Sequence, residues 1–218
     1  FKDEEENLEN IEESDSKYRY DRLSQLIIPT DSLGVGDAVS ILRERKGLDN
    51  VELGMGNPKA INQLLAHHAV VFRPEQKQIW VSTAPFQMGK FLCYDLDDVF
   101  KSVHHPERNV SVDSLIIDED PFVHTDSLWN LMEFKKIKNS LFDFYVLDKP
   151  IVWDQEKEDR FIASNPDSYV TYMVLGDYYA ELGDCSNAVA NYRISLNKEV
   201  ASLSEIRKLE AAIEECDE

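Results

Sequence analysis

Positive charge is scarce in this chain. Its 218 residues hold 23 Lys and Arg against 42 Asp and Glu, a formal balance of −19. Sequence-independent binding of a phosphate backbone needs clustered cations, so the deficit argues against nucleic acid as a partner. Docking on anionic lipid is disfavoured for the same reason. Long apolar runs are also missing. None approaches the roughly 18 residues that a membrane span requires, so no membrane span is expected. Cysteine is sparse: Cys93, Cys185 and Cys216 are far apart and form no CxxC or zinc-ribbon spacing. They read as reduced, at least half-buried thiols, which leaves the compartment open between cytoplasm and cell envelope. Glycine-rich phosphate loops are absent. Gly34-Val35-Gly36 and Gly54-Met55-Gly56-Asn57-Pro58 lack both GxGxxG and a Gly-Lys-Ser/Thr ending, and turn chemistry accounts for them. There is no GxSxG elbow and no HExxH helix. Neither a cofactor nor a metal is expected.

What the chain does have is an apolar share of 43%, with 10% aromatic residues, enough for a core. The charge is uneven. Residues 1–15 contain eight acidic residues and one Lys, so residues 1–16 read as an acidic lead-in or linker. The chain opens on Phe1 with no initiator Met and no signal-peptide pattern, so Phe1 reads as a cut end. Residues 18–28 have apolar positions near helical spacing and stop at Pro29. A second helix is predicted over residues 38–45, with Asp37 as its cap and Gly47 beyond its end.

The period then changes. Ala69–Arg73 and Ile79–Thr83 are β-branched and apolar, with Pro74–Gln78 turning the chain between them, which predicts a hairpin. Lys90–Asp95 follows as a third strand, and Asp97-Asp98-Val99-Phe100 begins a short helix. Residues 102–125 read as irregular, with His104-His105-Pro106 and Asp118-Glu119-Asp120-Pro121 as turns. From about 126 onward the pattern is helical: one helix capped by Asp126 and running toward Phe144, a charged segment over 154–163, and a final helix over 203–216.

Residues 169–202 carry the clearest local signature. Tyr172, Leu175, Gly176, Tyr179, Gly183, Ala188 and Tyr192 fall where a tetratricopeptide repeat places its aromatic, Leu-Gly, aromatic, Gly, Ala and aromatic positions. The small residues let two antiparallel helices approach, and the aromatics fill the groove between them. One such unit is too few to stand alone, so the hairpin is expected to buttress the sheet domain and the last helix. A docking role is the alternative.

Few residues offer chemistry. His67-His68 precedes the first strand, where adjacent side chains point to opposite faces, so the pair cannot chelate one metal. One of them at the edge of a substrate pocket is the functional reading; a polar pair at the strand's entry is the plain one. The acidic pairs Asp97-Asp98, Asp118-Glu119-Asp120 and Glu214-Glu215 read as solvated faces. Cys93, inside an apolar strand, is a poor candidate for an activated thiolate.

The run from Ala66-His67-His68-Ala69-Val70-Val71-Phe72-Arg73-Pro74 through Ile79-Trp80-Val81-Ser82 to Gln87–Leu96 resembles the closing strands of the isopenicillin-N acyltransferase family, relatives of the choloylglycine hydrolases. Ser16–Leu23 is similar to the Arg-bearing helix placed before those strands. The resemblance covers roughly residues 16–100. It implies an α+β fold: residues 17–125 as the C-terminal part of an N-terminal-nucleophile (Ntn) hydrolase-like αββα sandwich, and 126–218 as an appended helical, tetratricopeptide-like segment of the kind bacterial members carry. It also implies a mechanism for the complete protein. A Cys exposed by self-cleavage, with its own α-amino group as base, forms an acyl-enzyme and passes the acyl group to water or an amine. A small acyl-amide or acyl-CoA is the implied substrate, and the upstream part of the same protein the implied partner. The chain departs from the family at the centre of that chemistry. Phe1 occupies the start, and the family's Asn-His motif occurs nowhere. No catalytic residue carries over, and His67 and His68 remain as substrate-side candidates. The readings from other classes are a non-catalytic interaction protein using the hairpin, and a family member without a nucleophile that only binds an amide ligand.

Overall fold

The computed structural model describes residue 11, residues 14–29, residues 31–101 and residues 109–217. Their architecture is mixed α+β: a small antiparallel sheet with two helices before it and a mostly helical C-terminal half. The first helix, α1 (Asp15–Ile27), is capped by Ser14, whose Oγ accepts from Ser16 N. It therefore begins three residues earlier than the apolar period indicates, taking in the last two residues of the expected lead-in. Arg22 is buried on its inner side and donates to Glu44 Oε2 at 3.1 Å and Asn50 Oδ1 at 2.8 Å. The second helix, α2 (Val35–Leu42), corrects the cap assignment. Gly34 is the N-cap, and Asp37 reaches back from the first turn to accept Gly34 N. The helix also ends at Leu42, well short of Gly47. Arg43, the C-cap, donates from its guanidinium to the carbonyls of Gly89 and Asp118, each at 2.8 Å.

The sheet follows the predicted hairpin and third strand: β1 (Val70–Arg73), β2 (Gln78–Ser82) and β3 (Phe91–Asp95), in the order β1-β2-β3. Pro74–Gln76 form one tight turn, and Lys77 takes a left-handed conformation that lets β2 return. Helix α3 (Leu96–Lys101) leaves β3 directly. His104-His105-Pro106 lie outside the described residues. The stretch 109–125, predicted irregular, holds two short turns and two isolated bridges, Phe91 to Ile117 and Tyr94 to Ser111, which cover the outer edge of β3.

The helical half contains α4 (Asp126–Leu147), α5 (Gln155–Ser164), α6 (Tyr169–Glu181), α7 (Cys185–Leu196) and α8 (Leu203–Asp217). The cap of α4 is Thr125, not Asp126, and the helix runs past Phe144 to a left-handed Asp148. Asp154 and Asp184 cap α5 and α7 by accepting backbone N–H groups. Phe134, Leu141, Phe161, Val174, Leu175 and Tyr178 form the core between α4, α5 and α6, with the Phe134 and Phe161 rings stacked at 5.3 Å. Tyr169, Ala188, Tyr192, Val200, Ala201 and Leu209 form the core of the hairpin and α8. Each buries apolar surface at about 25 cal/mol per Å², the main force holding the helices together. Among the described residues no helix is long and apolar enough to cross a membrane.

Candidate functional site

The strands are apolar on both faces, which a half-solvated sheet is not. In β2 and β3 the runs Ile79-Trp80-Val81 and Phe91-Leu92-Cys93-Tyr94 are continuous, and β1 reads Val70-Val71-Phe72. Strands buried on one side alternate apolar with polar; continuous apolar runs belong to strands covered on both sides.

One face is closed. Trp80 pairs with Cys93 and Ser82 with Phe91. These side chains and Ala69 are buried against Val35, Val39 and Leu42 from α2, and against Val112 and Ile117. Trp80 Nε1 donates to Leu115 O at 2.8 Å, and Ser82 Oγ accepts Ala69 N at 2.7 Å. Cys93 is fully buried here, and burial, with the Asp95 charge second, pushes its thiol above the usual range. It is a packed residue, not a nucleophile.

The other face is less covered: Ile79, Val81, Leu92 and Tyr94 on it are half-buried, and Val70 and Phe72 are exposed. The register lines up Val70, Val81 and Leu92 in one cross-strand row, and Phe72, Ile79 and Tyr94 in the next. None of these six side chains belongs to a core cluster among the described residues. Val70 is 40% exposed and Phe72 65% exposed. The outer edge of β1 is also unpaired among the described residues. An apolar face next to an open strand edge is the liability that proteins ordinarily cover. Such a face is what a sheet without its partner strands is expected to expose, and the lack of alternation in all three strands is its signal in the sequence.

His67 and His68 stand at one end of this sheet, where β1 begins and β2 ends. Both are exposed, and Nδ1 of His68 lies 3.4 Å from Ser82 O. Among the described residues neither is paired with a carboxylate or a cysteine. What organises this end is Asn62, buried between two loops. Its Nδ2 donates to Phe86 O at 3.1 Å, and its Oδ1 accepts Leu64 N at 2.9 Å. Lys135 of α4 reaches over the Phe86 ring and donates to Leu64 O. Asn62 gave no signal in sequence because a lone Asn in a loop is common. Among the described residues no group of three or more His, Cys, Asp or Glu could hold a metal ion.

An Asn on the helical side contributes a two-point tie to the sheet half. Asn165 Oδ1 accepts Met55 N at 2.8 Å and its Nδ2 donates to Met55 O at 2.9 Å, closing a two-bond ring. Gly54 lies alongside with φ +74°, and a Cβ there would come 2.4 Å from Ser168 N. Lys59 and Asn57 reach Glu199 across the same seam. The groove of the tetratricopeptide-like hairpin is filled from within by its own aromatics and by Leu209 of α8. The hairpin packs against α4 and α5 on one side and α8 on the other.

No protein-family model, no curated protein and no solved structure matches the chain.

Proposed function

We propose that the chain is the C-terminal part of an Ntn-type cysteine acyltransferase or amidohydrolase, contributing the last strands of an αββα sandwich and a helical cap. The observation that supports it is the open face of the sheet. Two cross-strand rows of apolar side chains beside an unpaired β1 edge fit a sheet that is half of a sandwich, with the remaining strands supplied by an upstream segment. In this reading that segment also carries the nucleophile. Its Cys thiolate, activated by its own α-amino group, attacks the carbonyl carbon of an acyl-amide; the C–N bond breaks, the amine leaves with a proton, and a thioester remains. Water or a second amine then takes the acyl group. His67 and His68, at the end of the sheet, are placed as substrate-side residues without a covalent role.

The test is made on the complete protein and on residues 1–218 separately. The complete protein should release amine from an N-acyl anilide, yield an acyl-thioester trappable by hydroxylamine, and show a new N-terminal Cys by mass spectrometry. Residues 1–218 alone should be inactive. Turnover by the 218-residue chain, or a complete protein without a self-generated N-terminal Cys, overturns the reading.

A further inference from the structure

A groove of about 470 Å³ lies between α4, α5 and the loop 148–154. That volume is within the range of small-molecule sites. Its rim is cationic in a strongly acidic chain: Lys136, Lys149, Lys157 and Arg160 face it with only two carboxylates, Glu133 and Asp143. Both carboxylates are engaged. Arg160 pairs with Glu133, and Lys149 pairs with Asp143 at 2.8 Å. The other two ammonium groups have no carboxylate partner among the described residues. Lys157 Nζ donates instead to Val152 O at 2.5 Å, and Lys136 is exposed. A pair of uncompensated cations thus faces the groove of a molecule whose balance is −19.

The floor is apolar and fixed. Ile137, Ile151 and Trp153 border the core of α4, α5 and α6. The Trp153 ring packs against Phe161 and Tyr178, and its Nε1 donates to Glu158. Val152, 75% exposed, stands at the lip. The loop that forms the wall is held by Lys149 N to Asp143 O at 3.2 Å as well as by the Lys149 and Lys157 side chains. Such a wall is preorganised and needs little ordering on binding.

We propose that this groove is a binding site for a small amphipathic monoanion, an apolar chain or ring with one carboxylate head. The apolar body lies along Ile137, Ile151 and Trp153, and the carboxylate sits between Lys136 and Lys157. The site stands independently of the proposed acyl transfer, since no residue in it belongs to the sheet or its ends.

Decanoate is the probe, titrated calorimetrically into the protein, with decyltrimethylammonium as the cationic control of equal chain length. Saturable binding of one decanoate per chain is expected in the range of roughly 10–300 μM, and at least about tenfold weaker binding of the cation. Raising salt from about 50 to about 500 mM should weaken decanoate several-fold. Lys136→Glu, at an exposed position that takes no part in holding the wall, should weaken decanoate at least about fivefold. Val152→Asp, at an exposed position, should weaken decanoate as well. Equal binding of both probes, binding unchanged in both variants, or no saturation overturns the proposal. Loss of decanoate binding would leave acyl transfer by the complete protein untouched, so the two readings fail separately.

Discussion

A Cβ placed on Gly176 would lie 2.3 Å from Cε1 of Tyr192, closer than any real side chain sits. The α6–α7 hairpin is closed on that contact, with the Cδ1–Cε1 side of the Tyr192 ring against the glycine and its hydroxyl donating to Asp177 Oδ1 at 2.9 Å. Gly176→Ala is expected to force the helices apart and cost about 1–3 kcal/mol, well beyond the small gain in helix propensity. Urea denaturation measures it. The same Gly176→Ala made in a Tyr192→Leu background should cost less, because the clash is with the ring; additive losses would place the strain elsewhere.

Asp177 gives the hairpin a pH dependence. Burial holds its carboxyl above the ordinary value of 3.8, and the Tyr192 hydrogen bond, which favours the charged form, only partly offsets that. The charge of Asp177 in turn pushes the Tyr145 phenol, already raised by burial, to about 12. The folded chain therefore holds the Asp177 proton more tightly than the unfolded chain. The stability this contributes is complete below pH 3.8 and is lost as pH rises through the folded value. Asp177→Asn keeps an acceptor for Tyr192 without the charge. It should raise the melting temperature at pH 7, and that gain should shrink to nothing as pH falls below the ordinary carboxylate value. Tyr192→Phe should do the reverse at neutral pH, losing about 1–3 kcal/mol by leaving a buried carboxylate without its donor.

Elements whose determinants are local were legible in the sequence. The hairpin β1–β2, the third strand and the α6–α7 pair follow from period, turn residues and the Gly176, Ala188 and Tyr192 spacing. Helix starts were less so. The caps are Gly34 and Thr125 because acidic residues that can cap also serve inside the first turn, as Asp37 does three residues after Gly34 and Asp126 directly after Thr125. The closed sheet face, with Trp80 and Cys93, could be anticipated from apolarity. That a sheet without its partner strands leaves one apolar face uncovered was also expected; which side chains lie on it became legible only once the register assigned each to a face. Asn165 and Asn62 were invisible for a different reason: each acts through backbone groups distant in sequence, and no periodicity records that.

Asn165 can be tested directly. It is buried, and both ends of its amide are used by Met55. Asn165→Ala leaves the half-buried Met55 N–H and C=O without these partners, and a loss of about 1–3 kcal/mol is expected. Asn165→Asp removes one donor and adds a charge, so it should be no better at neutral pH. Limited proteolysis provides a readout specific to the seam. Cleavage in 165–168 should appear in either variant while the α6–α7 pair stays protected, since its core does not depend on Met55. Uniform loss of protection would mean that the two halves unfold as one unit.

Phe72 offers the sharpest test of the open face, because a half-sandwich and a finished surface respond differently to the same change. Its ring is 65% exposed and paired across the strands with Ile79, and through Ile79 with Tyr94. In residues 1–218 alone, Phe72→Lys removes little buried area, so its effect on stability should stay within about 0.5 kcal/mol. It should also reduce the binding of an apolar dye and the self-association that an uncovered apolar face promotes. In the complete protein the same lysine would lie between two sheets, an unpaired charge without water, and should cost several kcal/mol or prevent assembly. Val35→Lys, on the covering helix α2, is the internal standard: it faces the closed side and should destabilise both forms alike. If Phe72→Lys is equally mild in the complete protein, the face is exposed there too, and a second sheet does not cover it.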